Sequence, residues 1–248
     1  MSSDRRSFLK RAGLSAAALT AAPAIANAER SDTSRSEQDR YTRLELGSFR
    51  RGANGELQSL AMQPPSPWDL TWPEKITGKY RAMFDIDEVA DGIGVFRAGM
   101  WAAQYRTGFG ASEADLSKVL VLRHNAVPLL MSQDFWTSYN VGEAFNIKSE
   151  DGSIIKHNPV LPLPDAAANS NGNPFTIDVL MEQGALVLGC GLAFSDITAF
   201  VAEHDKICSP VAYTKATTML VQGVILQPSG IFANVLAQEH GCAFVNAV

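Results

Sequence analysis

The sequence predicts an α/β fold in which a parallel sheet of about five strands has helices on both faces. Two observations lead to this prediction. Residues 184–192 read GALVLGCGL, a continuous apolar run that ends at Cys190 between two glycines. Such a run, without alternating polar residues, is typical of a strand that is buried on both faces. From residue 79 onward, short strand-like stretches alternate with stretches of helical period, which is the order that builds a parallel sheet.

Five stretches are predicted as strands: residues 80–86, 117–124, 184–192, 223–227 and 242–245. Apolar residues at helical spacing predict helices between them. The predicted helix faces are Val89, Ile93, Phe96 and Met100; Ile177, Leu180 and Met181; Phe194, Ile197, Phe200, Val201 and His204; Tyr213, Ala216, Thr217 and Leu220; and Ile231, Phe232, Val235 and Leu236. We expect Ser195 and Asp196 near the start of the third of these helices and Ser229 as the N-cap of the last.

The first 28 residues are predicted to be an export signal. Residues 4–10, DRRSFLK, closely resemble the bacterial twin-arginine motif, and a moderately apolar, alanine-rich segment follows. Ala26-Asn27-Ala28 has the small-x-small pattern of a cleavage site. The sequence therefore predicts that the protein is exported to the periplasm by the twin-arginine route. An uncleaved membrane anchor and an amphipathic N-terminal helix remain the alternatives.

The remaining chain is predicted to have two parts. Residues 29–77 are expected to form a flexible tail and a Pro/Trp-containing arm, in which Trp68 and Trp72 anchor the chain to the domain or form an aromatic ligand platform. Residues 78–248 are expected to form the α/β domain. Residues 144–174 form a long irregular insertion within it, which is typical of a functional loop, an oligomer contact or disorder.

Composition excludes some classes of partner. The 248-residue chain has a formal net charge of −5, which argues against nucleic acid and anionic membrane surfaces as partners. After removal of the leader, no apolar run approaches the length of a membrane span. Three cysteines are too few for a disulfide framework, although Cys208 and Cys242 could pair in an oxidising compartment. No phosphate-binding loop is found, and Gly92-x-Gly94 is assigned to helix packing.

Cys190 and His124 are the candidate catalytic residues. Each is predicted at the carboxyl end of a buried strand, and ligands and chemistry collect at this edge of parallel sheets. Cys190 is interpreted either as a reactive thiol or as a small buried residue at a strand end. His124 is interpreted either as its polar or acid/base partner or as a structural residue. No basic residue lies close to Cys190 in the sequence, so a following helix is expected to favour its thiolate.

A larger set of residues resembles a known family. The set comprises the strand that ends at His124, Gly184-x5-Cys190-Gly191, Gly223-Val224 leading to Pro228-Ser229-Gly230, and Gln238-x-x-Gly241-x-Ala243-Phe244-Val245. Over residues 79–246 this pattern resembles the DsrE/DsrF-like family of sulfur-relay proteins. The resemblance implies a five-stranded parallel sheet, a homo-oligomer and, in some members, a persulfide-carrying cysteine that matches Cys190. The insertion at 144–174 and Cys242, which replaces an aromatic residue, depart from the family pattern.

Two functions remain open from the sequence. The first is a periplasmic sulfur or thiol carrier in which Cys190 is the nucleophile and exchanges sulfur with a donor or acceptor protein. The second is a non-catalytic oligomeric binding or assembly module in which Cys190 is structural. A metal site built from His124, Cys190 and His157 or His240 is a weaker third possibility. No cofactor is predicted.

Overall fold

The computed structural model describes residues 68–149, 151–162 and 174–248, together with two short strands at 49–51 and 57–59. The predicted export signal lies outside the described residues. The chain divides into two compact units, Met1–Leu60 and Ala61–Val248. In the first unit, β1 (Phe49–Arg51) pairs antiparallel with β2 (Leu57–Ser59), a pairing that the sequence did not predict.

The second unit is built on a five-stranded sheet in which every pair of neighbours is parallel. Its strands are β3 (Tyr80–Ile86), β4 (Leu116–Leu122), β5 (Leu186–Cys190), β6 (Ile225–Gln227) and β7 (Ala243–Asn246). Their spatial order is β6-β5-β4-β3-β7. The predicted all-parallel α/β sheet is confirmed.

The helices of the second unit lie between the strands in sequence. They are α1 (Ile93–Phe109), α2 (Gln133–Ser138), α3 (Val141–Ala144), α4 (Ile177–Glu182), α5 (Gly191–Asp205), α6 (Ser209–Thr218) and α7 (Gly230–Glu239). Short 3-10 helices cover Trp72–Lys75, Ala90–Gly92, Glu113–Asp115 and His124–Leu130. No helix in the described part of the chain is long and apolar enough to cross a membrane.

Strand β4 separates two layers of the core. All seven of its residues are buried, and successive side chains point to opposite faces of the sheet. Leu120 and Leu122 belong to a large apolar cluster that includes residues of α1, α2 and α5, whereas Val119 and Val121 belong to a second cluster with Ala233 and Ala237 of α7. Helices therefore cover both faces, as predicted, and this explains why the strand sequences lack alternation.

The buried face of α1 differs from the predicted one. Its buried residues are small: Gly94, Val95, Ala98, Gly99 and Ala102. A Cβ atom on Gly94 would lie 2.8 Å from Ile86, and one on Gly99 would lie 2.1 Å from the Phe175 ring. The helix thus approaches its neighbours through glycines, and the predicted face of Ile93, Phe96 and Met100 is only half-buried because those larger side chains cannot fit beneath it.

Helix α7 does not bury the face that its apolar pattern predicts. Its buried residues are Gly230, Ala233, Asn234 and Ala237. Of the residues that predicted the helix, Ile231, Phe232 and Val235 lie on the outer side, where Ile231 is 70% and Val235 is 49% exposed, whereas Leu236 is half-buried against the second cluster. Ser229 is the N-cap as predicted, because its Oγ accepts a hydrogen bond from the Phe232 N–H at 3.1 Å.

Part of the predicted insertion at 144–174 packs into the domain. Ile147, Ile155 and Val160 are buried in the large cluster. The Asn158 amide is fully buried and donates to the carbonyl oxygens of Leu129 and Met131 at 2.9 and 2.8 Å. These hydrogen bonds hold the described part of the insertion against the 3-10 helix that follows β4. Residues 150 and 163–173 lie outside the described residues.

Candidate functional site at the carboxyl edge of the sheet

Cys190 is the last residue of β5 and the N-cap of α5. It is 5% exposed. The helix that follows begins one residue later, at Gly191, and runs for 15 residues. The N–H groups of its first turn, which have no acceptor within the helix, therefore lie next to Cys190.

The start of α5 corrects one detail of the sequence analysis. Ser195 and Asp196 were expected at the helix start, but both lie inside the helix, which begins at Gly191. The apolar run of the strand continues directly into the helix, so no polar residue marks the boundary. Ser195 donates its hydroxyl hydrogen to the Leu192 carbonyl oxygen. Asp196 is half-buried, and this burial raises the pKa of its carboxyl to about 6.

His124 follows β4 rather than ending it. The strand stops at Leu122, and His124 opens the 3-10 helix with a positive φ of 47°. Its side chain is exposed, and its Nδ1 lies 3.5 Å from Nη1 of Arg123. His124 thus lies at the expected edge of the sheet. It is placed on the surface, whereas Cys190 is buried.

Arg123 is a site residue that the sequence analysis missed. Its Nε donates to Asp85 Oδ1 at 2.7 Å, and its Nη2 donates to Asp85 Oδ2 at 2.8 Å. Nη2 also contacts Asp87 Oδ2 at 3.2 Å. The side chain of Arg123 is 18% exposed and that of Asp85 is 8% exposed. This forked pair joins the ends of β3 and β4 just below the start of α7, where a Cβ on Gly230 would lie 2.7 Å from Arg123 Cβ.

The charges at this edge are coupled. Burial by itself would raise the pKa of Asp85, but hydrogen bonds from Arg123 and Asn234 outweigh it and hold the pKa below the usual value. The pKa of Arg123 is raised, chiefly by its hydrogen bond to Asp85, and the charges of Asp87 and Cys190 act in the same direction. A thiolate at Cys190 therefore lies within electrostatic reach of the guanidinium.

One sequence signal could have located Arg123. Asp85 is an acidic residue in an otherwise apolar stretch of strand, and Arg123 directly follows the next strand. The carboxyl ends of neighbouring parallel strands meet at one edge, and a charge buried there requires a partner. Asp85 and Arg123 were therefore a foreseeable pair, whereas the contribution of Asn234 from α7 depends on how that helix packs.

The other cysteines and histidines are not gathered at this edge into a metal site. Within the described ranges, no group of three or more His, Cys, Asp or Glu side chains is arranged to hold a metal ion. All three cysteines are free thiols. His204, predicted on the apolar face of its helix, is half exposed; its Nδ1 lies 2.9 Å from Asp205 Oδ1, and its ring packs on Tyr139.

A cavity of about 390 Å³ lies at the opposite edge of the sheet. Its lining includes Thr77, Glu113, Leu116 and Leu186, which lie near the starts of the strands. It is therefore separate from Cys190 and contributes nothing to thiol chemistry.

Comparisons with known proteins complete the description of the site. The chain matches no protein-family model and no curated protein. The geometry at the carboxyl edge therefore provides the basis for a functional proposal.

Proposed function

We propose that this protein is an exported, DsrE-like thiol carrier that binds sulfur as a persulfide on Cys190. The observation that carries the proposal is the position of Cys190 at the N-terminus of α5, at the edge of the sheet where Arg123 follows β4. The thiolate is the attacking species in sulfur exchange, and helix N-termini and guanidinium groups are features that favour a thiolate in proteins. The periplasmic location rests on the twin-arginine pattern, and the family assignment rests on the sequence resemblance and the parallel sheet.

The proposed reaction needs no external oxidant or reductant. The Cys190 thiolate attacks the outer sulfur of a donor persulfide, R–S–S–H. A new S–S bond forms at Cys190, the donor S–S bond breaks, and the donor leaves as a thiolate that takes up a proton. An acceptor thiolate then attacks the outer sulfur of the Cys190 persulfide and releases the Cys190 thiolate. His124, exposed at the same edge, is the proposed group that exchanges protons with the departing thiolate.

The test is sulfur loading of the folded full-length chain. The protein, in a Cys208→Ser background because Cys208 is exposed, is treated with glutathione persulfide at neutral pH and analysed by peptide mass spectrometry. We expect the Cys190 peptide to gain one sulfur atom and to lose it to an added thiol. Cys242 is an internal control, since it is equally buried and burial raises the pKa of its thiol to about 11. Failure of Cys190 to gain sulfur until denaturant is added would contradict the proposal.

A second function is favoured by the outer face of α7. Ile231, Phe232 and Val235 are exposed together on a helix whose buried side is made of small residues. Exposed apolar patches of this kind mark interaction sites, and we propose a second copy of this chain as the occupant. A Cys190→Ser variant separates the two functions, because an assembly module retains its biological role in that variant and a thiol carrier loses it.

A further inference from the structure

The arm that precedes the sheet lies directly over the Cys190 end of α5. A Cβ atom added to Gly191 would lie 2.8 Å from Cη2 of Trp68 and 2.6 Å from the Gln227 carbonyl oxygen. The indole ring therefore rests on the backbone of the residue that follows Cys190. Only a glycine permits this approach. Cys190 itself is 5% exposed and also packs in the large apolar cluster.

Gln227 fastens the arm next to Cys190. It is the register partner of Cys190 on the neighbouring strand, and it is fully buried. Its Oε1 accepts a hydrogen bond from Trp72 Nε1 at 2.9 Å, and its Nε2 donates to the Asp69 carbonyl oxygen at 2.8 Å. One buried amide thus holds two points of the arm, Trp72 and Asp69.

The two tryptophans of the arm are held differently. Trp72 is 0% exposed and belongs to the apolar cluster beneath α7. Trp68 is only half-buried, and residues 69–71 between the two are exposed. Among the described residues, Trp68 belongs to neither apolar cluster. Displacing Trp68 therefore leaves the core intact. Displacing Trp72 opens the core and leaves the buried Gln227 amide without this hydrogen-bond partner.

We propose that Trp68 is a displaceable cover at the Cys190 end of α5, that it moves about Asp69, which Gln227 holds, and that its opening limits the rate of thiol chemistry. The inference rests on the thiol function proposed above and describes how that function is regulated. The cover slows reaction of the thiol in an oxidising compartment, and a partner that displaces the indole ring speeds it.

The test measures alkylation of Cys190 by iodoacetamide in the folded full-length chain, again in the Cys208→Ser background, with peptide mapping. If the cover is open for about a tenth of the time or less, Trp68→Ala increases the rate at Cys190 by about tenfold or more. The matched control is Phe109→Ala, since Phe109 is a 68% exposed aromatic residue at the end of α1, and it leaves the rate unchanged. Thermal unfolding confirms that both variants are folded.

A second variant tests the hydrogen bonds by which Gln227 holds the arm. Gln227→Ala removes the acceptor for Trp72 and the donor to Asp69, so it also speeds alkylation and, in contrast to Trp68→Ala, lowers the melting temperature. Equal alkylation rates in the wild type and Trp68→Ala would overturn the cover, whatever the effect of Gln227→Ala.

The pH dependence separates failure of the cover from failure of the thiol function. The ratio of the Trp68→Ala rate to the wild-type rate at high pH, where the thiol is ionised in both, reports the cover. The pH at which the Trp68→Ala rate reaches half its maximum reports activation of the thiolate. A midpoint near the value of an ordinary cysteine, about 8.5, overturns the proposed function and leaves the cover standing if the ratio is high.

Discussion

Individual charged residues form a linked group at the same end of the sheet as Cys190. Asp85 neutralises Arg123 through two hydrogen bonds and is itself bound by Asn234. Asp87 adds a third carboxylate oxygen to the same guanidinium. These carboxylates therefore fix the position of Arg123 without a ligand. A guanidinium suits this role because its planar, forked donors can serve two carboxylates at once.

Replacement of Asp85 by Asn tests the importance of this pair for the fold. The substitution leaves a largely buried guanidinium with only Asp87, and we expect the free energy of unfolding at pH 7 to fall by about 3 kcal/mol. Asp87→Asn is the matched control. Asp87 is 34% exposed and its contact is longer, so its loss costs about 1 kcal/mol or less. Urea unfolding of both variants measures the difference, and equal losses would contradict the assignment.

The effect of Asp85→Asn also depends on pH in a defined direction. The pKa of Asp85 is lower in the folded protein than in the unfolded chain, so its contribution is fully present above the unfolded value of about 4. The contribution is lost as the pH falls through the lower folded value. We therefore expect the wild type and Asp85→Asn to converge in stability at acid pH. A stability difference between the wild type and Asp85→Asn that grew on acidification would show that folding does not lower the pKa of Asp85.

At the scale of secondary-structure elements, small residues decide how closely the helices pack. Gly94 and Gly99 bring α1 against Ile86 and Phe175. Gly142 brings α3 against the described part of the insertion, where an added Cβ would lie 1.7 Å from the Ile155 carbonyl oxygen. These contacts are with backbone or with buried and half-buried side chains, and they leave no room for even one methyl group.

Two glycine-to-alanine substitutions, which we expect to change the free energy of unfolding in opposite directions, test this interpretation. Gly142→Ala forces α3 away from Ile155, and we expect a loss of about 3 kcal/mol in the free energy of unfolding. Gly108→Ala, in α1, meets nothing within 4 Å and is expected to stabilise the protein by about 0.5 kcal/mol, since alanine favours the helix. Chemical denaturation gives both values. A neutral Gly142→Ala would contradict the close approach of α3 to the insertion.

At the scale of the whole molecule, the parallel sheet places different chemistry at its two edges. The carboxyl edge carries Cys190, Arg123 and the start of α7, whereas the amino edge carries Lys118, whose fully buried ammonium group binds Glu113 at 2.6 Å and the Gln183 carbonyl oxygen at 2.9 Å. A face of α7 remains apolar and exposed above the sheet. The molecule thus separates an edge with a buried cysteine, an edge with a buried lysine and an exposed apolar helix face.

The exposed face of α7 predicts self-association in solution. We expect the mass measured by light scattering to exceed that of the monomer and Val235→Arg to reduce it to the monomer mass, because an arginine at this 49% exposed position introduces unpaired charge into the interface. Ala199→Arg, at an exposed position of α5, is the control and leaves the mass unchanged. A monomeric wild type would refute the assembly role.

The sequence by itself determined the sheet and the position of Cys190 in it. Continuous apolar runs can be satisfied only by strands buried on both faces, and the alternation with helices then requires parallel strands, which place Cys190 at the carboxyl edge. The sequence also determined the N-cap role of Ser229, since this role depends only on residues within one helical turn.

Only the tertiary structure decided which charges share the edge of the sheet with Cys190, which side of α7 is buried and where Trp68 lies. Periodicity predicted helix α7 but placed its apolar side wrongly, because close packing on the sheet selected Gly230, Ala233 and Ala237 over larger residues. Arg123 and Trp68 lie far from Cys190 in the sequence; Arg123 follows the neighbouring strand, and Trp68 lies at Gly191 beside Asp69, which Gln227 holds. Such contacts depend on the assembled sheet, because no local propensity encodes the distance between residues brought together by different strands.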